Sequence, residues 1–231
     1  MADAFELPRR AMAIFAHPDD VDFGCSGTVA LWTALGVHVT YCLLTSGNKG
    51  THDPKMTPER ISAIREKEQA EAGRRAGASE FVFLRHDDGE LEVGMDMRGE
   101  VCRQIRIHKP DLVFCQDPWR TYQMHPDHRV AGWSALDGVI AARDHLFFPE
   151  QLTKGLTHHR VSRVLMFGTA EPNLWFDITT TMDTKIHALQ AHESQIADFK
   201  QLGERMNLFA AATGKAWGLG KAEAFRYLEL A

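Results

Sequence analysis

Six polar side chains in two short runs are of the right types to hold a metal ion and hydrolyse a bond. The first run is His17-Pro18-Asp19-Asp20 and the second is His125-Pro126-Asp127-His128. His17, Asp20 and His128 offer two imidazole nitrogens and one carboxylate oxygen. Zinc, or a similar divalent ion, accepts such a set, and three protein ligands leave a position for water. Pro18 fixes its own φ and so stiffens the loop between the first two ligands. An ion held there would lower the pKa of water from about 16 to about 7 and polarise a carbonyl. Asp19, adjacent to a ligand, is the candidate for taking the proton of that water. His125 lies three residues before His128, so a helical turn brings the two together; it would stabilise an oxyanion or protonate a leaving amine. Asp127 would orient a histidine from behind. Either run alone reads equally well as a turn and helix cap, because Asp and Pro are frequent in both.

What favours chemistry is where the elements put the two runs. Residues 11–16 are wholly apolar, as a strand buried on both faces should be, and they lead directly into His17. Residues 111–115 form a similar strand that leads into the segment 116–128. Between them the chain alternates. A helix over 26–35 is stopped by Gly36, and a β-branched strand covers 37–44. Thr57-Pro58-Glu59 starts a helix running to about Ala76, and further strands follow at 80–84 and 161–167. Helices are expected over 97–108 and 127–143, and the remainder from Asp183 reads as mostly helical. Alternating strands and helices imply βαβ crossovers, hence an α/β, Rossmann-like three-layer fold with a mostly parallel sheet. Such sheets put their sites beyond the carboxyl ends of the strands, where both polar runs would fall together.

Composition narrows the surroundings. With 231 residues and 44% apolar content, the chain suits a single domain over 1–231, without a Pro-, Gly- or Ser-rich linker. A net charge of −5, with acids interleaved among Lys67, Arg74 and Arg75, argues against a nucleic-acid groove. No apolar run approaches the ~18 residues of a membrane span, and residues 1–10 lack an apolar leader. Cys25, Cys42, Cys102 and Cys115 form no C-x-x-C pair, which suits a reducing, cytoplasmic setting; Cys25 is expected to pack rather than bind metal.

The two runs also resemble a known family. AHPDD at residues 16–20, followed by GCSGT at 24–28, is similar to the opening of the PIG-L/LmbE-type deacetylases, and HPDH at 125–128 to their second motif. Further markers follow in the family's order. They are T-x-G at Thr45 and Gly47, R-x-x-E at Arg65 and Glu68, DGEL at 88–91, and H-x-S-Q at His192, Ser194 and Gln195. The resemblance implies a zinc-dependent hydrolase that removes an acetyl group from an N-acetylglucosamine-type sugar. His17, Asp20 and His128 would be ligands, Asp19 the general base and His125 the acid or electrostatic partner. It further implies that Arg65 and Asp88 contact sugar hydroxyls; otherwise Arg65 is an exposed helix residue paired with Glu68 or Gln69, and Asp88 a turn residue. Gln123 stands where some relatives have tyrosine, with Tyr122 beside it. The Phe-rich segment 144–155 lies outside the shared motifs, as a substrate-side loop, a homo-oligomer contact or an ordinary packed loop. Three other readings keep the metal: an amidase of thiol conjugates, a phosphoesterase, and a metal-stabilised binding module.

Overall fold

The computed structural model describes residues 5–196 and 199–230. Its centre is one sheet of seven strands in the order β3-β2-β1-β4-β5-β7-β6. β1 (Arg10–Phe15), β2 (His38–Thr45), β3 (Glu80–His86), β4 (Leu112–Gln116) and β5 (Arg163–Phe167) run parallel. β6 (Leu174–Asp177) and β7 (Ala222–Glu229) add an antiparallel edge. The chain passes from β1 outward to β2 and β3, then returns to lay β4 on the other side of β1. Strand order therefore reverses between β1 and β4, where open α/β sheets have their crevice.

Side-chain alternation along β1 divides the core into two layers. Ala11, Ala13 and Phe15 face α2 (Ser26–Ala34), α3 (Pro58–Arg75) and α7 (Met182–Leu189), packing with Trp32, Ala72 and Ala188. Met12, Ile14 and Ala16 face α4 (Met95–His108) and α5 (Pro126–Ala142), packing with Val101, Ile105, Ala135 and Val139. Burial on both faces explains why β1 and β4 read as unbroken apolar runs. The sheet with its helices on both faces is the expected three-layer α/β fold, and the expected helices and parallel strands are present with ends shifted by a residue or two.

The carboxyl-terminal part departs from expectation. After α7 and α8 (Phe199–Lys215) the chain does not stay helical but enters β7, which slots between β5 and β6. Its sequence, AEAFRYLE, is half Ala and Glu, favourable in a helix; pairing with two neighbours and the burial of Ala222 and Phe225 override that preference. The segment 144–155 is a largely exposed loop, anchored at buried Gln151, that carries the short helix α6 (Pro149–Thr153). Buried Arg106 of α4 ties it down, donating to the carbonyls of Ala141, Asp144, Phe147 and Phe148 and to Gln151 Oε1. Among the described residues, no helix is long and apolar enough to cross a membrane.

Candidate active site

Both polar runs meet at the carboxyl ends of β1 and β4, as their place in the sequence requires. The first leaves β1 and enters α1 (Asp20–Gly24). The second opens α5, with His125 as its N-cap, Pro126 in the first turn, and His125 Nδ1 accepting from the Asp127 amide at 3.3 Å. His128, one turn in, faces back across the crevice.

His17, Asp20 and His128 converge. His17 Nδ1 lies 3.4 Å from Asp20 Oδ2 and 3.2 Å from His128 Nε2, and His128 Nε2 lies 3.1 Å from Asp20 Oδ1. Tetrahedral zinc with bonds of about 2.0–2.1 Å places its donors about 3.3 Å apart, so the three spacings suit such an ion. The other side of His17 settles which nitrogen is on offer. Its Nε2 faces Asp127 Oδ2 at 3.0 Å and Asp88 Oδ1 at 3.1 Å. With carboxylates there, Nε2 carries the proton and Nδ1 presents its lone pair to the centre, the usual arrangement behind a metal-binding histidine.

The electrostatics agree with a site built for positive charge. Burial alone would lower the pKa of His17, yet hydrogen bonds to Asp127, Asp20 and Asp88 outweigh it and push the group up to about 11. Burial opposes ionisation of Asp20 as well, but His128 and His17 hold its carboxyl far below the usual range. Asp88 and Asp127 are likewise lowered, against burial, chiefly by His17. Asp19 goes the other way: burial and then the Asp20 carboxylate raise it to about 7, against the pull of Arg65, His192 and His17. Burial, followed by the neighbouring His17 and His128, lowers His125. Its ring lies 4.5 Å from that of His17 and 4.7 Å from that of His128, so all three histidines border one spot.

A second acidic triplet, His17, Asp88 and Asp127, is compact enough to suggest another cation. The oxygens of Asp127 are otherwise engaged. Asp127 Oδ2 accepts from the Gly89 amide at 2.7 Å and Oδ1 from the Leu91 amide at 3.3 Å. A carboxylate filled by backbone donors is better suited to brace His17 than to bind an ion.

Of the two expected sugar contacts, Asp88 lies at the centre, held by its own amide on Asn48 Oδ1 at 2.8 Å. Arg65 is neither exposed nor paired with Glu68 or Gln69: it is 4% exposed, under the Pro18–Asp19 loop. Its Nη1 donates to Gly47 O, and its Nη2 donates to Pro18 O at 2.7 Å and reaches Asp19 Oδ2 at 3.5 Å. This explains T-x-G. A Cβ on Gly47, which has φ 63°, would sit 2.2 Å from Arg65 Nη1. Cys25 is a buried packing residue, as expected.

Several working residues escape a reading of the sequence. Glu223 of β7 accepts from the amides of Gly27 and Thr28, from the Thr28 hydroxyl and from Lys185 Nζ, and so fastens the GCSGT segment. Gln69 accepts from the Asp19 amide and donates to Asp22, which also faces His192. Only His192 carried a signal, through H-x-S-Q. Beside Asp20 and His128 opens a cavity of about 450 Å³, within the range of small-ligand sites. Phe23, Phe167 and Phe209 give it apolar walls, and Arg120 and Gln123 line it with polar groups.

Comparison with known proteins decides the family. Residues 12–137 match PIG-L, described as GlcNAc-PI de-N-acetylase, and so include both polar runs. The chain belongs to the PIG-L family. Across 98% of its length this PIG-L chain is 32% identical to the diacetylchitobiose deacetylase of Thermococcus kodakarensis, covering 85% of that protein. It is 27% identical, over 82% of each chain, to a probable N-acetyl-alpha-D-glucosaminyl L-malate deacetylase of Bacillus anthracis. Among solved structures, the N,N'-diacetylchitobiose deacetylase of Pyrococcus horikoshii, in complex with an inhibitor, superimposes with a TM-score of 0.92 at 31% identity, over 97% of this chain and 88% of that one. The relatives named are deacetylases, and the present chain is a hydrolase.

Proposed function

We propose that the protein is a zinc-dependent N-deacetylase acting on an N-acetylglucosamine-type sugar, with His17, Asp20 and His128 as metal ligands, Asp19 as general base and His125 as its electrostatic partner. The observation that carries this reading is the placing of the two His17 ring nitrogens. Nε2 faces Asp127 and Asp88, which leaves Nδ1 aimed at the same spot as Asp20 and His128. When bound, zinc supplies a Lewis acid for the amide carbonyl and a water of lowered pKa.

The protein's own groups do the rest. Asp19, whose carboxyl is pushed up by burial and by the Asp20 carboxylate, is placed beside the centre to take the proton of the attacking water and then release it. His125, fixed by its cap bond to α5, faces the same centre and donates its remaining N–H to the oxyanion; the proton that Asp19 takes from water passes to the nitrogen as the C–N bond breaks, releasing acetate and the free amine. Asp88, beside the centre, accepts a sugar hydroxyl. Arg65, whose donors hold the loop, serves Asp19 first and reaches a sugar only through any donor left over. A reducing, cytoplasmic setting suits the four buried thiols. Phosphoester hydrolysis gains little from the second triplet, because backbone amides occupy both oxygens of its Asp127.

The test is acetate release from N-acetylglucosamine, diacetylchitobiose and related acetylated amino sugars, with p-nitrophenyl phosphate as counter-substrate. Release of acetate from at least one sugar, with no phosphatase activity, is the expected result. Phosphate release without acetate would reverse the assignment.

A further inference from the structure

Asp19 is held in an unusual way. Its φ is 101°, in the left-handed half of backbone space, where a non-glycine residue is strained and persists only when its surroundings over-determine it. Two residues of α3, one turn apart, grip the peptide that sets this geometry. Arg65 Nη2 donates to Pro18 O at 2.7 Å, and Gln69 Oε1 accepts from the Asp19 amide at 2.7 Å. Carbonyl and amide of one peptide plane are thus both anchored to the same helix.

We propose that the buried chain His192–Asp22–Gln69 is a positioning device that keeps the Asp19 carboxylate in its working orientation. The idea rests on the reading of Asp19 as general base, and concerns residues to which that reading gives no part. All three side chains are completely buried. A primary amide is symmetric in shape, so something must decide which end faces Asp19. Asp22 decides it. Its carboxylate only accepts; Gln69 Nε2 donates to Asp22 Oδ2 at 2.7 Å, which turns Oε1 toward the Asp19 amide. His192 Nε2 lies 2.9 Å from the same oxygen and fills its second lone pair. Were the amide reversed, its NH2 would confront the Asp19 N–H and the strained peptide would lose its anchor. His192 is itself fixed by the turn that follows it, where Ser194 donates through its amide and hydroxyl to Glu68 of α3. Markers far apart in sequence, R-x-x-E and H-x-S-Q, thereby converge on one backbone angle.

The device predicts an effect on turnover rather than on binding. Acetate-release kinetics, zinc content and melting temperature would be measured for the wild type, Asp19→Ala, Gln69→Leu, Asp22→Asn, Gln69→Glu and the reciprocal swap Gln69→Glu/Asp22→Asn. Gln69→Leu should lower kcat by about 10- to 100-fold, the cost of a small misplacement, with KM within about twofold and zinc content unchanged. Asp22→Asn lets the Gln69 amide reverse, and Gln69→Glu sets two carboxylates face to face; each should lower kcat. The swap restores the order of donor and acceptor. Its side-chain amide at position 22 donates to its carboxylate at position 69, which still accepts from the Asp19 N–H, and His192 carries its proton on Nδ1 so that Nε2 accepts from the same amide. The swap should therefore exceed either single variant in kcat by about tenfold. Wild-type kcat in Gln69→Leu would overturn the device, as would a swap no better than its parts, and the swap comparison decides if Gln69→Leu fails to fold. Full rate in Asp19→Ala would instead overturn the base assignment beneath it.

Discussion

At the scale of single residues, the site is an arrangement of proton positions. In the proposed site His17 would bind through Nδ1, because Asp127 and Asp88 face Nε2 and favour the proton there. Asp127→Asn should therefore weaken zinc binding by about 10- to 100-fold, measured by competition with a chromophoric chelator, although Asp127 itself touches no metal. Unchanged affinity would mean that the tautomer is set in some other way. Asp19→Ala should abolish acetate release while zinc content persists; a variant that keeps its rate would remove Asp19 from the chemistry. The two polar runs were legible in the sequence because metal ligands and proton-transfer groups are few in kind and cluster at strand ends. The supporting residues were not. Gln69 and Asp22 are ordinary on a helix, and only the fold shows that one faces the Asp19 amide and the other directs it.

At the scale of elements, Glu223 shows why a strand can matter to a loop at the other end of the chain. β7 carries it beneath the start of α2, where the amides of Gly27 and Thr28 and the ammonium of Lys185 surround its carboxylate. Helix starts favour negative charge, and a buried charge left without its partner is costly. Glu223→Ala should destabilise the fold by roughly 3 kcal/mol, about 6–12 °C in melting temperature for a chain of this size. Arg106 makes the same point on the opposite face. Arg106→Met strands several carbonyls of the 144–155 loop and should cost about 3 kcal/mol or more, read in a urea titration. A loss under about 1 kcal/mol in either variant would contradict these anchoring roles. β7 was missed in the sequence because Ala and Glu are good helix formers and what makes it a strand is pairing with β5 and β6. The parallel strands were legible because burial on both faces leaves an unbroken apolar run that no surface element has.

For the whole molecule, the reversal of strand order between β1 and β4 brings together ligands more than a hundred residues apart. Alternation of strands and helices was enough to anticipate that edge, but not the apolar cavity beside it, whose walls come from α1, β5 and α8. A centre assembled from distant segments should be stabilised by its metal, by about 4 kcal/mol at a thousandfold excess over Kd. The most direct test of the central claim is a zinc titration into chelator-stripped protein, followed by acetate release. The account predicts no release at the outset and a rise that saturates at one zinc per chain, absent in His17→Ala and His128→Ala. Full release from the stripped protein, or zinc-restored release in those variants, would contradict it.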